Sequence, residues 1–372
     1  MANNNNTKNL NVPNLRFPEF TGEWKLNILD SVCTFHNGRA YKQHELLSAG
    51  KYRVLRVGNF FTNDSWYYSD LELEEDKTAS DGELLYAWSA SFGPRFWKGE
   101  KVIYHYHIWK IDSFQEVCKE FLFYFLEKDA ASIKNEVQGG TMAHITKADM
   151  ERRNITYPTI CEQSKIARLL FLLDHRIATQ NKIIEKLQSL IKGIAQHCIK
   201  ESTSGNTYVK LGDICQITTG KLDANAQVDN GIYPFFTCAE QPFKIDSFAF
   251  DTEALLISGN GANLGYINYY KGKFNAYQRT YVLDLFSENI QYIKWALKVL
   301  LPKRIAIEKS SSNTPYIVLS TLTDLRLPIP NKSNQCHIAK LMQSLERKLS
   351  SQIALNGSYN KLKQYLLRQM FI

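Results

Sequence analysis

One stretch of this sequence is written twice, and nothing else in it constrains the fold as tightly. Residues 157–180 (YPTICEQSKIARLLFLLDHRIATQ) correspond to residues 329–352 (IPNKSNQCHIAKLMQSLERKLSSQ) at a constant offset of 172. Pro158 falls on Pro330, Gln163 on Gln335, Ile166–Ala167 on Ile338–Ala339, Leu173 on Leu345 and Gln180 on Gln352. The offset runs backwards without a gap, placing Ile145 on Ile317, Met150 on Leu322 and Ile155 on Leu327. Further upstream the register drifts but persists: Leu84–Leu85 parallels Leu255–Leu256, and Lys98–Gly99 parallels Lys271–Gly272. Self-similarity of this kind means one structural plan used twice, and 372 residues is the length of two ordinary domains. The chain reads as a first domain over 1–158, a long helix over 159–204, a second domain over 205–330 and a second long helix over 331–372.

Each copy ends in an apolar stripe of helical period. Ile166, Leu169, Leu173, Ile177, Ile184, Leu187, Ile191 and Ile194 recur at threes and fours, with Gln180 at the one polar seam position. In the second copy Ile338, Leu341, Leu345, Leu349, Tyr359, Leu366 and Met370 keep the register, while Gln352, Asn356 and Lys363 sit in the seam and Gly357 weakens its middle. On a single helix such a stripe usually packs against a domain core. Two equivalent helices of about 35 residues, each near 50 Å long at about 1.5 Å per residue, outrun that role. Pairing with each other buries both stripes, and the domain between them makes the pairing antiparallel.

Ahead of each helix lie strand-like runs broken by Gly, Asn and Asp turns: Tyr52–Val57, Leu84–Ala87 and Val102–Ile111, then Tyr233–Thr237, Ala254–Ile257, Tyr266–Tyr270 and Tyr277–Leu283. Amphipathic helices are expected at Gln115–Glu127 and Ile290–Leu300. The fold class is therefore α/β (α+β): two mixed α/β domains, each followed by a long helix, the helices forming an antiparallel coiled coil in a pseudo-two-fold tandem repeat. No eighteen apolar residues run together, and MANNNNTKN lacks the features of a signal peptide, so a soluble cytoplasmic protein with no membrane partner is expected. The seven cysteines form no CxxC pair and read as reduced, mostly buried thiols. The net charge of +8 is carried by the helices, since Glu162–Lys200 holds +4 and Gln335–Ile372 holds +5. A chain gripping DNA by bulk attraction would put that excess on its domains, so any DNA contact is local and weak without a partner.

No catalytic constellation stands out. SGNGANLG (Ser258–Gly265) resembles a phosphate-cradling loop but lacks the helix, the acidic residue and the Lys-Ser/Thr pair such loops need. NTPY (Asn313–Tyr316) departs from the Asn-Pro-Pro-Tyr signature of amino-methyltransferases and has no cofactor loop ahead of it. His105 and His107, placed on one face of a strand, have no third metal ligand and read as buried or hydrogen-bonded histidines. What remains is loops whose side chains suit base edges and phosphates, where Arg pairs with guanine and Asn or Gln with adenine. In the first domain these offer Arg39, Lys42, Gln43, Arg56, Asn59, Asn63, Ser91, Arg95, Thr141 and His144. In the second they offer Lys221, Asn225, Glu240, Asn260, Asn263, Gln278, Arg279, Asn313 and Thr314. Each loop alone is commonly a solvated turn; it is their recurrence in equivalent places of both copies that points to nucleic acid.

Together these features resemble the specificity subunits of type I restriction-modification systems over nearly the whole chain. PNLRFPEFTGEW (Pro13–Trp24) is similar to that family's start, EQSKIARLLFLLDHRI (Glu162–Ile177) to its repeated central helix, and LKQYLLRQMF (Leu362–Phe371) to its distal helix end. The resemblance implies two target-recognition domains, each reading half of an asymmetric, interrupted double-stranded DNA site, held apart by a helical spacer. It further implies two modification subunits that methylate adenine with S-adenosylmethionine, two ATP- and Mg-dependent restriction subunits, and no cofactor or catalysis on this chain. NGRAYKQ departs from the Gly-x-Thr-Pro-like loop frequent in the family, and TTGK is only slightly closer. The reading from another class is a structural adaptor whose coiled coil joins protein partners; it would tolerate charge reversal in the loops, as a DNA reader would not.

Overall fold

The structure, a computed structural model, describes residues 11–61, 63–89, 91–136, 145–202, 207–311 and 316–372, without the side chains of 91, 134–136 and 309–311. The chain divides into two units: Met1–Thr179 with Asn356–Ile372, and Gln180–Leu355. In the first unit come β1 (Lys25–Ile28), β2 (Thr34–Asn37), β3 (Tyr52–Leu55), α1 (Val57–Phe61), β4 (Tyr67–Ser69), β5 (Thr78–Ala79) and β6 (Leu84–Ser89). After them come β7 (Ser91–Phe96), β8 (Val102–Tyr104), β9 (Ile108–Asp112), α2 (Lys119–Glu136), α3 (Lys147–Glu151), β10 (Asn154–Tyr157) and the start of α4 (Ile160–Glu201). One sheet has the order β2-β9-β6-β7 and a second β4-β3-β8-β5, in which β3 and β8 are parallel. Phe121, Leu122, Phe125 and Leu126 of α2 share a core with Trp24, Phe35, Trp109, the buried Ile166, Ala167 and Leu170 of α4, and Leu366, Leu367, Met370 and Phe371.

The second unit holds the rest of α4, then β11 (Thr207–Lys210), β12 (Gln216–Thr219), β13 (Tyr233–Phe236), β14 (Phe243–Ile245), β15 (Phe250–Ser258), β16 (Ile267–Ala276) and β17 (Thr280–Asp284). It closes with α5 (Ile290–Ser311), α6 (Leu319–Thr323), β18 (Arg326–Ile329) and most of α7 (Lys332–Gln369). Six strands form one sheet, β12-β17-β15-β16-β13-β14, with β13 parallel to β16. The plan matches that of the first unit. β1 pairs with β10 as β11 pairs with β18, and a single 3₁₀ turn follows β1 and β11 alike, at Leu29–Ser31 and Leu211–Asp213. Cys33 and Cys215 then donate their thiols back to the carbonyls of Leu29 and Leu211. The ten-residue β16 does the pairing of both β7 and β8. Gly272, at φ +126°, and its counterpart Gly99, at +124°, occupy the left-handed side of backbone space that a side chain disfavours.

Several expected elements are redrawn. Val102–Ile111 is two strands, because Ile108 N–H closes a turn onto His105 O at 2.9 Å. His105 and His107 therefore lie in a turn, on either side of Tyr106, instead of sharing a strand face. Tyr277–Leu283 is likewise a turn followed by β17, and α2 and α5 run past the ends expected for them. SGNGANLG is the hairpin loop between β15 and β16, closed by Gly265 N–H on Ser258 O at 2.8 Å, with no helix following. Of the cysteines only Cys33 is fully buried, and Cys161 is exposed.

α4 and α7 span 42 and 38 residues, longer than the expected 35 or so. In the first unit Asp174 meets Lys363 while Ile166 and Leu170 share a core with Leu366 and Met370. In the second, Gln180 meets Gln352 while Ile191 and Ala195 cluster with Met342 and Trp295. Rising numbers on one helix meet falling numbers on the other, so the pairing in each unit is antiparallel. Ile166, Ile191 and Leu366 are buried, whereas Leu173, Ile177, Ile184, Leu187, Ile338, Leu345, Leu349 and Tyr359 are half-buried, as expected where one neighbouring helix covers one side. Leu341 is a correction: it is 45% exposed, and Met342 occupies the buried position beside it. Gln180, 4% exposed, donates to the Gln352 side-chain oxygen at 2.8 Å, a polar layer of the kind that fixes helix register.

The repeated glutamine pins each long helix to its domain. Gln163 accepts from Cys118 N–H at 2.8 Å and donates to the carbonyls of Pro158 (2.9 Å) and Glu116 (2.7 Å). Gln335 accepts from Asn289 N–H at 3.0 Å and donates to Pro330 O (2.9 Å) and the Glu288 carboxylate (2.7 Å). Both are at most 1% exposed. Since an orphaned buried polar group costs roughly 1–3 kcal/mol, Gln335→Ala should lower stability by about 2–3 kcal/mol, read as a lower urea midpoint at unchanged m-value. Gln335→Glu, which sets a second carboxylate against Glu288, should do no better; a wild-type midpoint for either variant would contradict this role.

Candidate nucleic-acid interface

A glycine ends the first sheet strand of each domain, for a steric reason. A Cβ on Gly38, just past β2, would lie 2.3 Å from His105 O, and one on Gly220, just past β12, 1.9 Å from Ala276 O. Only glycine lets the following loop lie against the turn that leaves β8 or β16. Those turns, His105–His107 and Tyr277–Arg279, are held by matching backbone hydrogen bonds. Gly38 N–H donates to Ile108 O at 3.1 Å as Gly220 N–H does to Thr280 O at 3.3 Å. His105 N–H reaches Leu55 O (2.9 Å) as Tyr277 N–H reaches Phe236 O (2.9 Å). Tyr106 N–H reaches Arg39 O (3.1 Å) as Gln278 N–H reaches Leu222 O (2.9 Å). His107 O accepts from Trp88 N–H (3.1 Å) as Arg279 O does from Gly259 N–H (2.8 Å).

In the second unit this scaffold gathers side chains from four loops. Gln278 and Arg279 are exposed at the turn, with Lys221 on the adjoining loop. Asn263 donates to Cys238 O at 3.0 Å, and the Cys238 thiol lies 3.6 Å from Arg279 O. Asn260 bridges to Tyr316, whose ring lies 6.0 Å from the Arg279 guanidinium carbon. Asn225 and Glu240 are exposed on neighbouring loops, the former inside the 3₁₀ turn Ala224–Ala226, whose capping residue Asp223 accepts from its backbone N–H. Sequence reasoning missed Cys238 and Leu222 here.

In the first unit the equivalent turn carries rings. Tyr106, 40% exposed, has its carbonyl bonded by Trp88 Nε1 at 2.8 Å, and the Trp88 ring lies edge-on to His107 at 5.0 Å. Burial, helped by His107, lowers the His105 pKa to about 4, and burial lowers that of His107. Both are neutral at physiological pH. Arg39 is held by Glu45 through two bonds of 2.7 and 3.0 Å and lies 5.3 Å from the Tyr41 ring. That pair, with Lys42 N–H, holds the Glu45 carboxyl at about 2.

A model of the type I restriction modification DNA specificity domain matches residues 21–189 and again 203–356, most of the chain in two copies. The chain belongs to this family. The family chain is 43% identical over 143 residues to the type I restriction enzyme EcoDI specificity subunit of Escherichia coli, a match over 38% of this chain and 32% of that relative. It is 23% identical over 317 residues to the MjaVIII specificity subunit of Methanocaldococcus jannaschii, covering 72% and 73%. In fold it is similar to the crystal structure of a type I restriction-modification S subunit from M. genitalium, with TM-score 0.67 at 19% identity over 97% of this chain and 99% of that one.

Against this specificity-family fold, the remaining predicted residues separate. Lys42 and Gln43 are exposed on the loop after Gly38. Arg56, Asn59 and Asn63 hold their own loop together: Arg56 bonds Asn59 Oδ1 (3.2 Å) and Ser65 O (3.1 Å), Asn59 bonds Ser65 O (2.7 Å), and Asn63 accepts from Ser65 N–H (2.7 Å). Arg95 pairs in the sheet with Leu85, three rungs from Trp88, and lies 4.9 Å from the Phe61 ring in a groove of about 850 Å³. Ser91 belongs to β7, its side chain outside the described residues, as are Thr141, His144, Asn313 and Thr314 entirely. Among the described residues no group of His, Cys, Asp or Glu is placed to hold a metal, and no helix is long and apolar enough to cross a membrane.

Proposed function

We propose that this chain is the DNA-reading subunit of a type I restriction-modification complex and catalyses nothing itself. Each unit reads half of an asymmetric, interrupted duplex site through its loop cluster, and α4 and α7 set the distance between the halves. The observation that carries this reading is the pairing of a shared scaffold with unlike tips. Four backbone hydrogen bonds recur in both units, yet the turn they hold is His-Tyr-His in one and Tyr-Gln-Arg in the other. Two readers of different sequences need a constant frame and a variable edge. Adenine methylation and restriction belong to two modification and two restriction subunits, with S-adenosylmethionine, ATP and Mg bound there, in the cytoplasm.

Methylation-sensitive sequencing of the host genome with and without this chain tests the proposal. A bipartite adenine mark should vanish when the chain is removed, and a mark that persists would overturn the reading. The adaptor reading draws support from apolar side chains left exposed on the long helices, including Phe171, Leu172, Leu190, Ile353 and Leu362. Glutamate at Lys221 and Arg279 separates the two: sequence-directed methylation should fall by at least tenfold if the loops meet DNA, and stay unchanged if the chain only joins proteins.

A further inference from the structure

We infer that the His105–Tyr106–His107 turn is the base-reading turn of the first unit, with Tyr106 at its tip against base-pair edges of duplex DNA. This rests on the proposed function and assigns within it residues that, by sequence, look like core histidines. The repeat offset of 172 lays His105, Tyr106 and His107 on Tyr277, Gln278 and Arg279. The structure gives the two turns the same backbone partners, at Gly38 and Gly220, Leu55 and Phe236, Arg39 and Leu222, and Trp88 and Gly259. A turn fixed on every side is a rigid platform, so what it presents is set by its side chains.

What this turn presents is unlike its counterpart. Gln278 and Arg279 are polar and exposed, whereas Tyr106 stands between two neutral imidazoles, with ring centroids 4.4 Å from His105 and 3.9 Å from His107. Trp88 stands where the second unit has Gly259, a position with no room for a side chain, since a Cβ there would lie 2.4 Å from Arg279 O. Its Nε1 fixes the Tyr106 carbonyl, and its ring backs His107. Arg39, whose backbone carbonyl meets Tyr106 N–H, has its guanidinium engaged by Glu45, and Arg56, whose charge acts on His105, is bonded to Asn59 and to the Ser65 carbonyl. The turn thus offers a phenol, aromatic faces and imidazole edges but no free positive charge. That chemistry suits base edges and the thymine methyl rather than phosphate.

The test uses the complete modification complex and maps adenine methylation on a DNA library randomised across both half-sites, comparing wild type, Tyr106→Ala and Gln278→Ala. Tyr106 is partly exposed and the turn is held by backbone, so Tyr106→Ala should keep its melting temperature. It should reduce discrimination about tenfold to hundredfold at one or two positions of one half-site. Gln278→Ala should relax the other half-site. An unchanged sequence preference at both half-sites, with or without a slower rate, overturns the inference while leaving the proposed function standing, as does relaxation of the same half-site by both variants. If the wild-type complex places no sequence-specific mark, the proposed function itself fails and this inference with it.

Discussion

Replacing Lys363 by methionine should destabilise the chain by about 2–4 kcal/mol at neutral pH, although the substitution keeps the volume and adds apolar surface. Lys363 Nζ donates to Glu127 Oε1 and to Asp174 Oδ1, both at 2.7 Å, and Tyr124 OH donates to Asp174 Oδ2 at 2.9 Å. The lysine side chain is 11% exposed and the carboxylates 31% and 34%. Without the ammonium, two carboxylates face each other with little water, the arrangement that makes breaking an ion pair costlier than never having had one. The residual exposure keeps the expected cost below that of a wholly buried pair. Acid should relieve it. Burial raises the Glu127 pKa against the opposing pull of Lys363, and the variant removes that pull. A carboxyl whose folded pKa is raised adds stability that is complete below its unfolded pKa, near 4.3, and is lost as pH rises through the folded value. The deficit of Lys363→Met should therefore narrow between pH 7.5 and pH 5 in paired urea titrations. Equal midpoints of variant and wild type at pH 7.5 would show that the cluster has no such role. Adding Glu127→Leu and Asp174→Leu to Lys363→Met should recover most of the loss. The offset places apolar Ile191 opposite Lys363 in the repeat, and Ile191 packs with Trp295 and Met342 in the second unit.

That contrast explains what could be read from the sequence. Gln163 and Gln335 stand out as matched residues of the repeat, and Gln180 and Gln352 as polar positions in the helical seam, and each proves to be a hydrogen-bonded tie. The helical pairing was legible because both stripes outrun any single domain. Lys363 was visible as a polar interruption of the seam, but its partner Glu127 lies 236 residues away on another helix, and no periodicity connects them. The strand pattern misled at Val102–Ile111 because Val, Ile, Tyr and Trp favour extended backbone on both sides of a turn that tertiary hydrogen bonds impose. The N-terminal parts of the two domains correspond at a different offset of 182, so that Leu29 matches Leu211, Cys33 matches Cys215 and Gly38 matches Gly220. Loops of unequal length between the two registers hid that correspondence, and with it the reason for both glycines. Individual loop residues were the least legible. Arg39 and Arg56 look like free DNA-seeking cations in sequence, and only the fold reveals the Glu45 carboxylate and the Ser65 carbonyl that hold them.

Exchanging residues 207–328 for the matching block of a relative should replace one half of the methylated sequence and leave the other half unchanged. The cut points favour this outcome structurally. β11 and nearly all of β18 move together, so the ladder from Thr207–Ile329 to Lys210–Arg326 travels almost whole, and the Gly220–Tyr277–Arg279 scaffold lies inside the graft. Attachments to both long helices cross the boundary, and on α4 Ile191 and Ala195 pack with Trp295 while Ile199 shares the core of the grafted block. Gln335 stays behind and needs Asn289 N–H and an acceptor in place of Glu288, and the α7 residues Ile338, Met342 and Glu346 need an apolar or basic face on α5 like that of Trp295, Lys294 and Lys298. A donor block that keeps an acid at position 288 and a basic residue at 294 should fold onto the helices, and one that reverses either should show a lowered melting temperature before any change in specificity. A mismatched base pair costs roughly 1–3 kcal/mol, adding across separated positions, so a half-site of several base pairs should switch by orders of magnitude when its reader changes. Methylome sequencing of the grafted complex gives the result directly. If both half-sites changed, or neither did in a stably folded graft, the units would not be independent readers, and α4 and α7 would be transmitting sequence information instead of setting a distance.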